Sequence, residues 1–261
     1  MENETSDSKP LVASDDKINS AKYAIEITDL CKSFGNKTVL NKFNLTLAMG
    51  ENLVILGKSG TGKSVLIKCI VGLIEPNDGT INVLGQNISE LEDAKLNDLR
   101  KKVGFLFQSG ALYDSMTVRE NLEFPLRNSR SVKGKDLDAL VKEALENVGL
   151  LDAIDKMPSE LSGGMRKRVG LARTLILKPD IMLYDEPTNG LDPITSKEIS
   201  NLILSVRDKY NTSSIIITHD IACAKIIADR LVVLKEGAIV AEGTFEELQK
   251  SEDAGVRSYF E

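Results

Sequence analysis

Positions 57–64 of the chain carry the octapeptide Gly57-Lys58-Ser59-Gly60-Thr61-Gly62-Lys63-Ser64. It matches the phosphate-binding loop pattern G-x-x-x-x-G-K-[ST]. The apolar run Leu53–Leu56 precedes it, and an apolar helical pattern over 65–71 follows it. This context matters more than the pattern, because such a loop works between a buried strand and the start of a helix. The residues therefore predict a strand–loop–helix unit that binds phosphate.

The chemistry expected at this loop is that of a nucleoside triphosphate bound with Mg²⁺. Glycines allow backbone N–H groups to turn inward around a phosphate, and the following helix start adds partial positive charge. Lys63 is expected to reach the β- and γ-phosphates, and the Ser64 hydroxyl is expected to ligate Mg²⁺. The alternative is a glycine-rich turn without a ligand, which the lysine, the serine and the flanking elements together disfavour.

Short continuous apolar runs recur later in the chain, at 181–184 and 215–217. Runs of this kind are typical of strands buried on both faces of a parallel sheet, and helical patterns separate them here. The predicted fold class is therefore α/β. Alternating patterns at 24–30 and 43–47 predict half-buried strands, and 231–241 predicts a hairpin with a glycine turn.

A mainly helical insertion is expected at about 114–161. This segment has no strong strand pattern, and apolar residues recur at helical spacing over 136–148, which predicts an amphipathic helix. Residues 1–20 contain five acidic and two basic residues and few apolar ones. They are expected to form a mobile acidic tail before a domain that spans 21–261.

The apolar run at 181–184 ends in two acids, Asp185 and Glu186. At the carboxyl end of a parallel strand, Asp185 is expected to hold Mg²⁺, and Glu186 is expected to polarise the attacking water as a general base. Adjacent strand residues point to opposite faces, so we expect the two carboxylates not to compete for one ion. A solvated strand end is the alternative, which the preceding phosphate loop disfavours.

Length, charge and cysteine content exclude several other classes of protein. The chain has 261 residues, a formal net charge of −6 and 42% apolar residue types, which fits a domain with its own core and no need of disulfides. Its three cysteines are far apart and match no zinc spacing. No apolar run reaches the roughly 18 residues of a membrane span. The polar N-terminus is not expected to act as a secretory signal, and the excess of acidic over basic residues argues against nucleic acid as the main partner.

A second glycine-containing helix start lies upstream of Asp185, at Leu161-Ser162-Gly163-Gly164-Met165. Ser162 can cap this helix, and the glycines expose N–H groups to an anion. With these motifs in this order, the chain resembles the ATPase subunit of ABC transporters. The resemblance implies a P-loop NTPase (RecA-like) core with an N-terminal antiparallel β-subdomain and an inserted α-helical subdomain. It also implies ATP and Mg²⁺ as cofactors and ATP hydrolysis as the activity.

The resemblance assigns roles to further residues. Gln108 resembles the glutamine that senses Mg²⁺ and the attacking water, and His219, the single histidine of the chain, resembles the histidine that touches the γ-phosphate. Residues 189–192 resemble a loop that crosses the dimer interface. Phe34 resembles the aromatic residue that stacks on adenine, with Tyr23 as the alternative. The implied catalytic residues are Glu186, His219 and Gln108, and the implied metal ligands are Ser64, Gln108 and Asp185. The implied nucleotide-binding residues are Phe34, Gly57, Lys58, Ser59, Gly60, Thr61, Gly62, Lys63, Ser64 and Val65, with Ser162, Gly163 and Gly164 acting in the opposite subunit.

Segments 105–118 and 157–166 resemble, within this family, the ATPases of MCE-type, or Mla-like, lipid transporters. The second segment includes Met165, where the wider family usually has glutamine. The implied partners are a second copy of the chain paired head to tail, an integral membrane permease on a separate chain and an MCE-domain lipid-binding protein, with no nucleic acid. The implied location is the cytoplasmic face of the inner membrane. The residues expected to line the groove for a permease helix, unless they belong to the core of the insertion, are Ala111, Leu112, Tyr113, Met116 and Val118.

Other functions remain open on the sequence alone. An ABC ATPase of another importer class, with a small-solute cargo, has the same motifs. A soluble ABC ATPase that acts on DNA or ribosomes is disfavoured, because the chain has one phosphate loop and no sustained heptad run. A regulatory subunit that binds ATP without turnover is disfavoured by the presence of Glu186 and His219.

Overall fold

The computed structural model describes residues 22–127 and 135–260, and the tail expected at 1–20 lies outside these ranges. The strands are β1 (Tyr23–Phe34), β2 (Lys37–Ala48), β3 (Asn52–Leu56), β4 (Asp78–Val83), β5 (Gln86–Asn87), β6 (Val103–Leu106), β7 (Ile181–Asp185), β8 (Ser213–Thr218), β9 (Arg230–Lys235) and β10 (Ala238–Gly243). The helices are α1 (Lys63–Ile70), α2 (Asp93–Lys101), α3 (Val118–Glu123), α4 (Lys135–Glu146), α5 (Gly163–Leu175), α6 (Pro193–Tyr210), α7 (Ile221–Ile227), α8 (Phe245–Gln249) and α9 (Ala254–Arg257). Within the described ranges, no helix combines the length and the apolar character that crossing a bilayer requires.

A six-stranded sheet with the order β10-β9-β3-β8-β7-β6 lies at the centre of the fold. The five strands from β9 to β6 run parallel, and β10 pairs antiparallel with β9. Every residue of β3 and β8 is buried, because apolar clusters cover both faces of the sheet. This arrangement confirms the α/β class predicted from the continuous apolar runs.

The hairpin predicted at 231–241 is formed by β9 and β10. Glu236 and Gly237 connect the two strands with φ values of 50° and 78°, and a type I′ turn requires positive φ at both central positions. A Cβ atom at Gly237 would lie 2.5 Å from the carbonyl oxygen of Val39. The glycine therefore also allows β2 to approach the hairpin closely.

A second sheet is antiparallel, with the order β2-β1-β4-β5, and it confirms the antiparallel subdomain that the resemblance implies. In β1, Ile25 and Ile27 are buried while Glu26 is exposed, as the alternating pattern predicts. One apolar cluster joins this sheet to α1 and to one face of the six-stranded sheet, with Leu66 and Ile67 of α1 fully buried. Helix α1 is therefore held between the two sheets.

Between β6 and β7, the described residues form helices and turns and no strand. Thr117 and Glu120 form a capping box at the start of α3, and apolar side chains of α3 and α4 form their own cluster with α5. Helix α4 ends at Glu146 rather than at the predicted limit, Val148. A turn bond from Gly149 N–H to Glu146 O (3.0 Å) closes the helix, and Val148 stays buried beyond its end.

The carboxyl ends of β3, β7 and β8 meet at one edge of the six-stranded sheet. β3 leads into the phosphate loop, β7 ends at Asp185, and β8 leads into His219. The strand ends are level, since Leu56 pairs in register with Thr218 and Asp185 pairs with Ile217. Ligand sites of open α/β sheets lie at this edge, so the fold brings three separate motifs to one place.

Candidate active site

A cleft of about 720 Å³ opens at the carboxyl edge of the six-stranded sheet. It brings together most of the residues predicted to bind nucleotide and metal with the predicted catalytic residues. The lining residues are Phe34, Lys37, Val39, Lys58, Ser59, Gly60, Gly62, Lys63, Ser64, Val65, Gln108, Asp185, Glu186, Asn189 and His219. Gly57 and Thr61, which the sequence also selects, lie outside this lining and shape the loop. The Thr61 hydroxyl, for example, donates to the carbonyl oxygen of Lys58 at 2.9 Å.

Two glycines determine the shape of the phosphate loop. Gly62 caps α1 with φ 106°, a left-handed conformation that favours glycine. A Cβ atom at Gly62 would lie 2.8 Å from Val39 O, and one at Gly57 would lie 2.7 Å from Leu234 O. Side chains at these positions would push the loop away from the neighbouring strands. The glycines therefore keep the loop close to the sheet, where its N–H groups can face a phosphate.

Lys63 holds its ammonium group inside the loop. Its Nζ donates to the carbonyl oxygens of Gly57 (2.6 Å) and Lys58 (3.1 Å), and the residue is 6% exposed. Burial lowers the pKa of Lys63, and the nearby carboxylates of Glu186 and Asp185 oppose that effect. The ammonium group thus lies within the loop and near two carboxylates, where it can meet the oxygens of bound phosphates.

Ser64 and Asp185 bring two oxygen donors together at the cleft. The Ser64 hydroxyl donates to Asp185 Oδ1 at 3.3 Å. Burial raises the pKa of Asp185; the Ser64 hydrogen bond opposes this, and the charge of Glu186 adds to it. A cation beside this carboxylate would favour its charged form. Hydroxyl, carboxylate and amide oxygens are ligands that Mg²⁺ accepts, and Gln108 contributes an amide side chain to the same cleft. These residues therefore fit Mg²⁺.

Glu186 and His219 contact each other directly. His219 Nδ1 lies 2.8 Å from Glu186 Oε2, and the backbone N–H of His219 donates to the same oxygen at 3.3 Å. The backbone at Glu186 is left-handed, with φ 51°. Residues other than glycine rarely adopt this conformation. The imidazole and the strained backbone together fix the direction of the carboxylate, as expected of a positioned proton acceptor.

The expectation that Asp185 and Glu186 point to opposite faces is wrong. Strand β7 ends at Asp185, so the two-residue alternation ends there as well. The left-handed backbone at Glu186 turns its side chain toward the cleft that Asp185 also lines. The two carboxylates are distinguished by their partners, which are Ser64 for Asp185 and His219 for Glu186.

Phe34 is the last residue of β1 and lies at the cleft. The residue is 50% exposed, and Lys32 Nζ lies 5.0 Å from the centroid of its ring. An exposed aromatic face beside the phosphate loop suits stacking on a nucleotide base. Tyr23, the alternative, lies at the opposite end of β1 and is not among the residues that line the cleft.

Phe34→Ala is expected to raise the Kd for ATP about fivefold, which corresponds to about 1 kcal/mol, the lower end for base–aromatic stacking. The affinity for tripolyphosphate should stay unchanged, because this ligand has no base. Both affinities are measured by titration calorimetry, with Phe124→Ala as the control for an exposed aromatic residue outside the cleft. Equal losses for ATP and tripolyphosphate would show that Phe34 does not act on the base.

Ser162, Gly163 and Gly164 do not line the cleft of their own chain. Ser162 Oγ accepts a hydrogen bond from Met165 N–H at 3.2 Å, as predicted for the cap of α5. A Cβ atom at Gly164 would lie 2.5 Å from Thr195 Cγ2, whereas Ser162 and Gly163 are exposed. The exposed start of α5 is therefore accessible from outside the subunit.

Lys37 and Val39 of β2 line the cleft although the sequence analysis did not select them. No local pattern distinguishes them from other residues of an alternating strand. They reach the cleft because the antiparallel sheet packs against the phosphate loop, with Val39 next to Gly62. That contact joins parts of the chain that only the folded structure brings together.

A second groove, of about 290 Å³, lies beside β6 and is lined by residues that include Phe105, Tyr113 and Phe124. Of the five residues expected in a permease groove, Tyr113 lines it. Val118 is fully buried in the cluster of the insertion, so its prediction as a groove residue is wrong. Val118 is the first residue of α3, and its side chain faces the apolar cluster of the insertion. Leu112 packs against the same cluster.

Comparison with known proteins identifies the family. The ABC transporter family matches residues 40–189, which is more than half of the chain. The chain belongs to the ABC transporter family. The matched segment contains the phosphate loop, Gln108, the start of α5, Asp185 and Glu186, and it ends before His219. The family match therefore does not include His219, and its assignment to the site rests on its contact with Glu186.

Similar ABC proteins differ in the cargo that their names state. The "Probable ribonucleotide transport ATP-binding protein mkl" of Mycobacterium bovis is 41% identical over 90% of this chain, and the match spans 66% of the length of that relative. The intermembrane phospholipid transport system ATP-binding protein MlaF of Haemophilus influenzae is 38% identical, over 89% of this chain and 88% of that protein. Among solved structures, the dimeric post-hydrolysis ATP-binding cassette MJ0796 bound to ADP and Pi matches with a TM-score of 0.77 and 30% identity, over 85% of this chain and 98% of that one.

Proposed function

We propose that this chain is the ATP-binding and ATP-hydrolysing subunit of an ABC transporter that moves phospholipid through a separate permease. The single observation that carries the ATPase assignment is the cleft in which the phosphate loop, the Ser64–Asp185 pair and the Glu186–His219 pair meet. The phospholipid cargo is supported by the similarity to MlaF, which extends over nearly all of both chains.

In this proposal, the residues of the cleft bind Mg-ATP. The backbone of loop 57–65 surrounds the phosphates, and Lys63 contributes its ammonium group to the β- and γ-phosphates. Ser64, Asp185 and Gln108 would hold Mg²⁺, which would neutralise charge on the phosphate oxygens. Phe34 stacks on the adenine.

Hydrolysis then requires one proton acceptor and one attacking water. Glu186 accepts a proton from that water as its oxygen bonds to the γ-phosphorus, and the bond from that phosphorus to the bridging oxygen of ADP breaks. His219 holds the carboxylate through Nδ1, and its other ring nitrogen remains for an oxygen of the γ-phosphate. Gln108 helps to orient the water. The products are ADP and inorganic phosphate.

Two copies of the chain form the working unit. The exposed residues Ser162 and Gly163 lie outside the cleft of their own chain, and a helix start with free N–H groups is a phosphate-binding element. We infer that Ser162, Gly163 and Gly164 of one copy complete the cleft of the other. A pair that exchanges the same surface is related by a twofold axis.

The permease contacts the groove beside β6 in this proposal. The groove has aromatic walls, in which Tyr113 and Phe124 pack with ring centroids 4.7 Å apart. Gln108 belongs to the segment that joins β6 to this aromatic pair. Closure of the two copies around ATP would therefore move the groove and the permease helix in it. A permease anchors the chain at the cytoplasmic face of the inner membrane, and an MCE-domain lipid-binding protein is a further partner of the complex.

The proposed domain organisation is one nucleotide-binding domain over 21–261 with a helical subdomain at about 114–161. An importer ATPase with a small-solute cargo is the alternative function, and the ribonucleotide stated in the name of mkl is one such cargo. We favour phospholipid because the MlaF match is nearly end to end, while mkl has additional length. The resemblance of segments 105–118 and 157–166 to Mla-like ATPases supports the same choice.

The cargo is tested by purifying the assembled complex through a tag on this chain and reconstituting it in vesicles that contain fluorescent phospholipid. We expect ATP-dependent transfer of the phospholipid to acceptor vesicles, and none with the Glu186→Gln complex. A complex whose ATPase is stimulated by a ribonucleotide or another small solute, with no movement of phospholipid, would contradict the lipid assignment and leave the ATPase assignment intact.

A further inference from the structure

The ammonium group of Lys167 is buried next to the backbone of Glu186, the proposed general base. This lysine lies in α5, one turn after the capped start at Ser162, and it is 6% exposed. Its Nζ donates to the carbonyl oxygen of Asn189 at 2.7 Å and to that of Glu186 at 3.2 Å. Lys167 thus joins α5 to the segment that follows β7.

The backbone of Glu186 is held on both sides. Its N–H donates to Ile217 O at 2.9 Å, and its carbonyl oxygen accepts from Asn189 N–H at 3.2 Å as well as from Lys167. A left-handed backbone at a residue other than glycine is strained, and surrounding contacts offset that strain at Glu186. Of the groups that hold the carbonyl, Lys167 contributes the charge-assisted hydrogen bond, which is the stronger kind.

The burial of this lysine is compensated locally. Burial lowers the pKa of Lys167 to about 8, and the Glu186 carboxylate opposes that effect. A buried ammonium group is tolerated where it is hydrogen-bonded. Its two acceptors are backbone carbonyls of the 186–189 turn, so the energy of these bonds depends on the conformation of that turn.

We propose that Lys167 is a positioning residue for ATP hydrolysis, which holds the turn at 186–189 so that the Glu186 carboxylate faces the cleft. It also connects this carboxylate to the helix whose start is proposed to complete the opposite subunit's site. The inference rests on the proposed ATPase function. Lys167 is not among the residues that line the cleft, so it acts through Glu186 rather than on the nucleotide.

The test compares Lys167→Met with wild type in the assembled transporter complex. Methionine keeps an unbranched apolar stem but donates no hydrogen bond. We expect kcat per ATP-binding site to fall by about 10–100-fold, the range for a misplaced catalytic group, while the Kd for ATP stays unchanged. The matched control is Arg168→Met, since Arg168 is the next residue of α5 and pairs with Glu198 of α6. This control should retain wild-type kcat.

Lys167→Gln provides the conservative variant, because its shorter amide can still donate to one of the two carbonyls. We expect a kcat between those of Lys167→Met and wild type, and this variant carries the test alone if Lys167→Met does not fold. Unchanged kcat in both variants, or an equal loss in Arg168→Met, would overturn the proposal. Absence of turnover in the wild-type complex would instead contradict the ATPase function. If Lys167→Met turned over ATP normally while Glu186→Gln was inactive, Lys167 would lose its assignment as a positioning residue. The assignment of Glu186 would stand.

Discussion

Replacing Glu186 by glutamine is expected to slow ATP hydrolysis by about 10²–10⁴-fold, the contribution of a general base. Glutamine keeps the shape of the side chain and an oxygen that can accept a hydrogen bond from His219, but it cannot take a proton from water. ATP binding should persist, because the phosphate loop and the Ser64–Asp185 pair are untouched. Single-turnover hydrolysis and equilibrium binding of ATP separate the two effects.

Glu236→Gln is the matched control for this experiment. Glu236 is an exposed glutamate with φ 50°, nearly the same backbone conformation as Glu186, and it lies in the β9–β10 turn outside the cleft. Its substitution should leave turnover unchanged. If Glu186→Gln hydrolysed ATP at the wild-type rate, the proton would have to go elsewhere, and Glu186 would lose its assignment.

Lys63→Ala is expected to weaken ATP binding by at least about 100-fold, or about 3 kcal/mol, within the range for truncating a desolvated charge that pairs with another. The substitution removes the ammonium group that the loop holds beside Gly57 and Lys58. It leaves the glycines and the start of α1 in place, so the loop should keep its shape. Binding of a fluorescent ATP analogue measures the loss, and thermal unfolding without nucleotide reports whether the fold is intact.

Lys68→Ala is the control for charge on the same helix. Lys68 is an exposed residue in the last turn of α1 and is not among the residues that line the cleft. Its loss should change ATP affinity little. Wild-type ATP affinity in a folded Lys63→Ala protein would refute the assignment of loop 57–64 as the phosphate site.

The sequence predicted those parts of the fold whose signal is local. The continuous apolar run Leu53–Leu56 and its counterpart at 181–184 indicated strands buried on both faces, because such runs are typical of a covered parallel sheet. The phosphate loop between a strand and a helix, and Ser162 as a helix cap, were likewise readable from short segments. Each of these features depends on a residue and its near neighbours.

Other features depend on contacts between distant segments. The left-handed backbone at Glu186 arises where β7 meets Ile217 of β8 and Lys167 of α5, and no pattern within 181–186 indicates it. Strand alternation therefore gave the wrong face for this side chain. Lys37 and Val39 likewise enter the cleft only because one sheet packs on the loop of the other. Val148 continues the helical spacing of apolar residues in the sequence, but it lies in a turn. The helix ends at Glu146, while the buried apolar positions continue to Val148.

Two copies of this chain are proposed to enclose two ATP molecules, and each copy completes the site of the other. The experiment that distinguishes this arrangement from a single chain is native mass spectrometry of the Glu186→Gln protein loaded with Mg-ATP, both alone and in the assembled membrane complex. We expect two chains with two bound ATP in the complex, and loss of the paired state when the exposed residues Ser162 and Gly163 are replaced by bulky residues. One chain with its own ATP under both conditions, or a pair that survives these replacements unchanged, would contradict it.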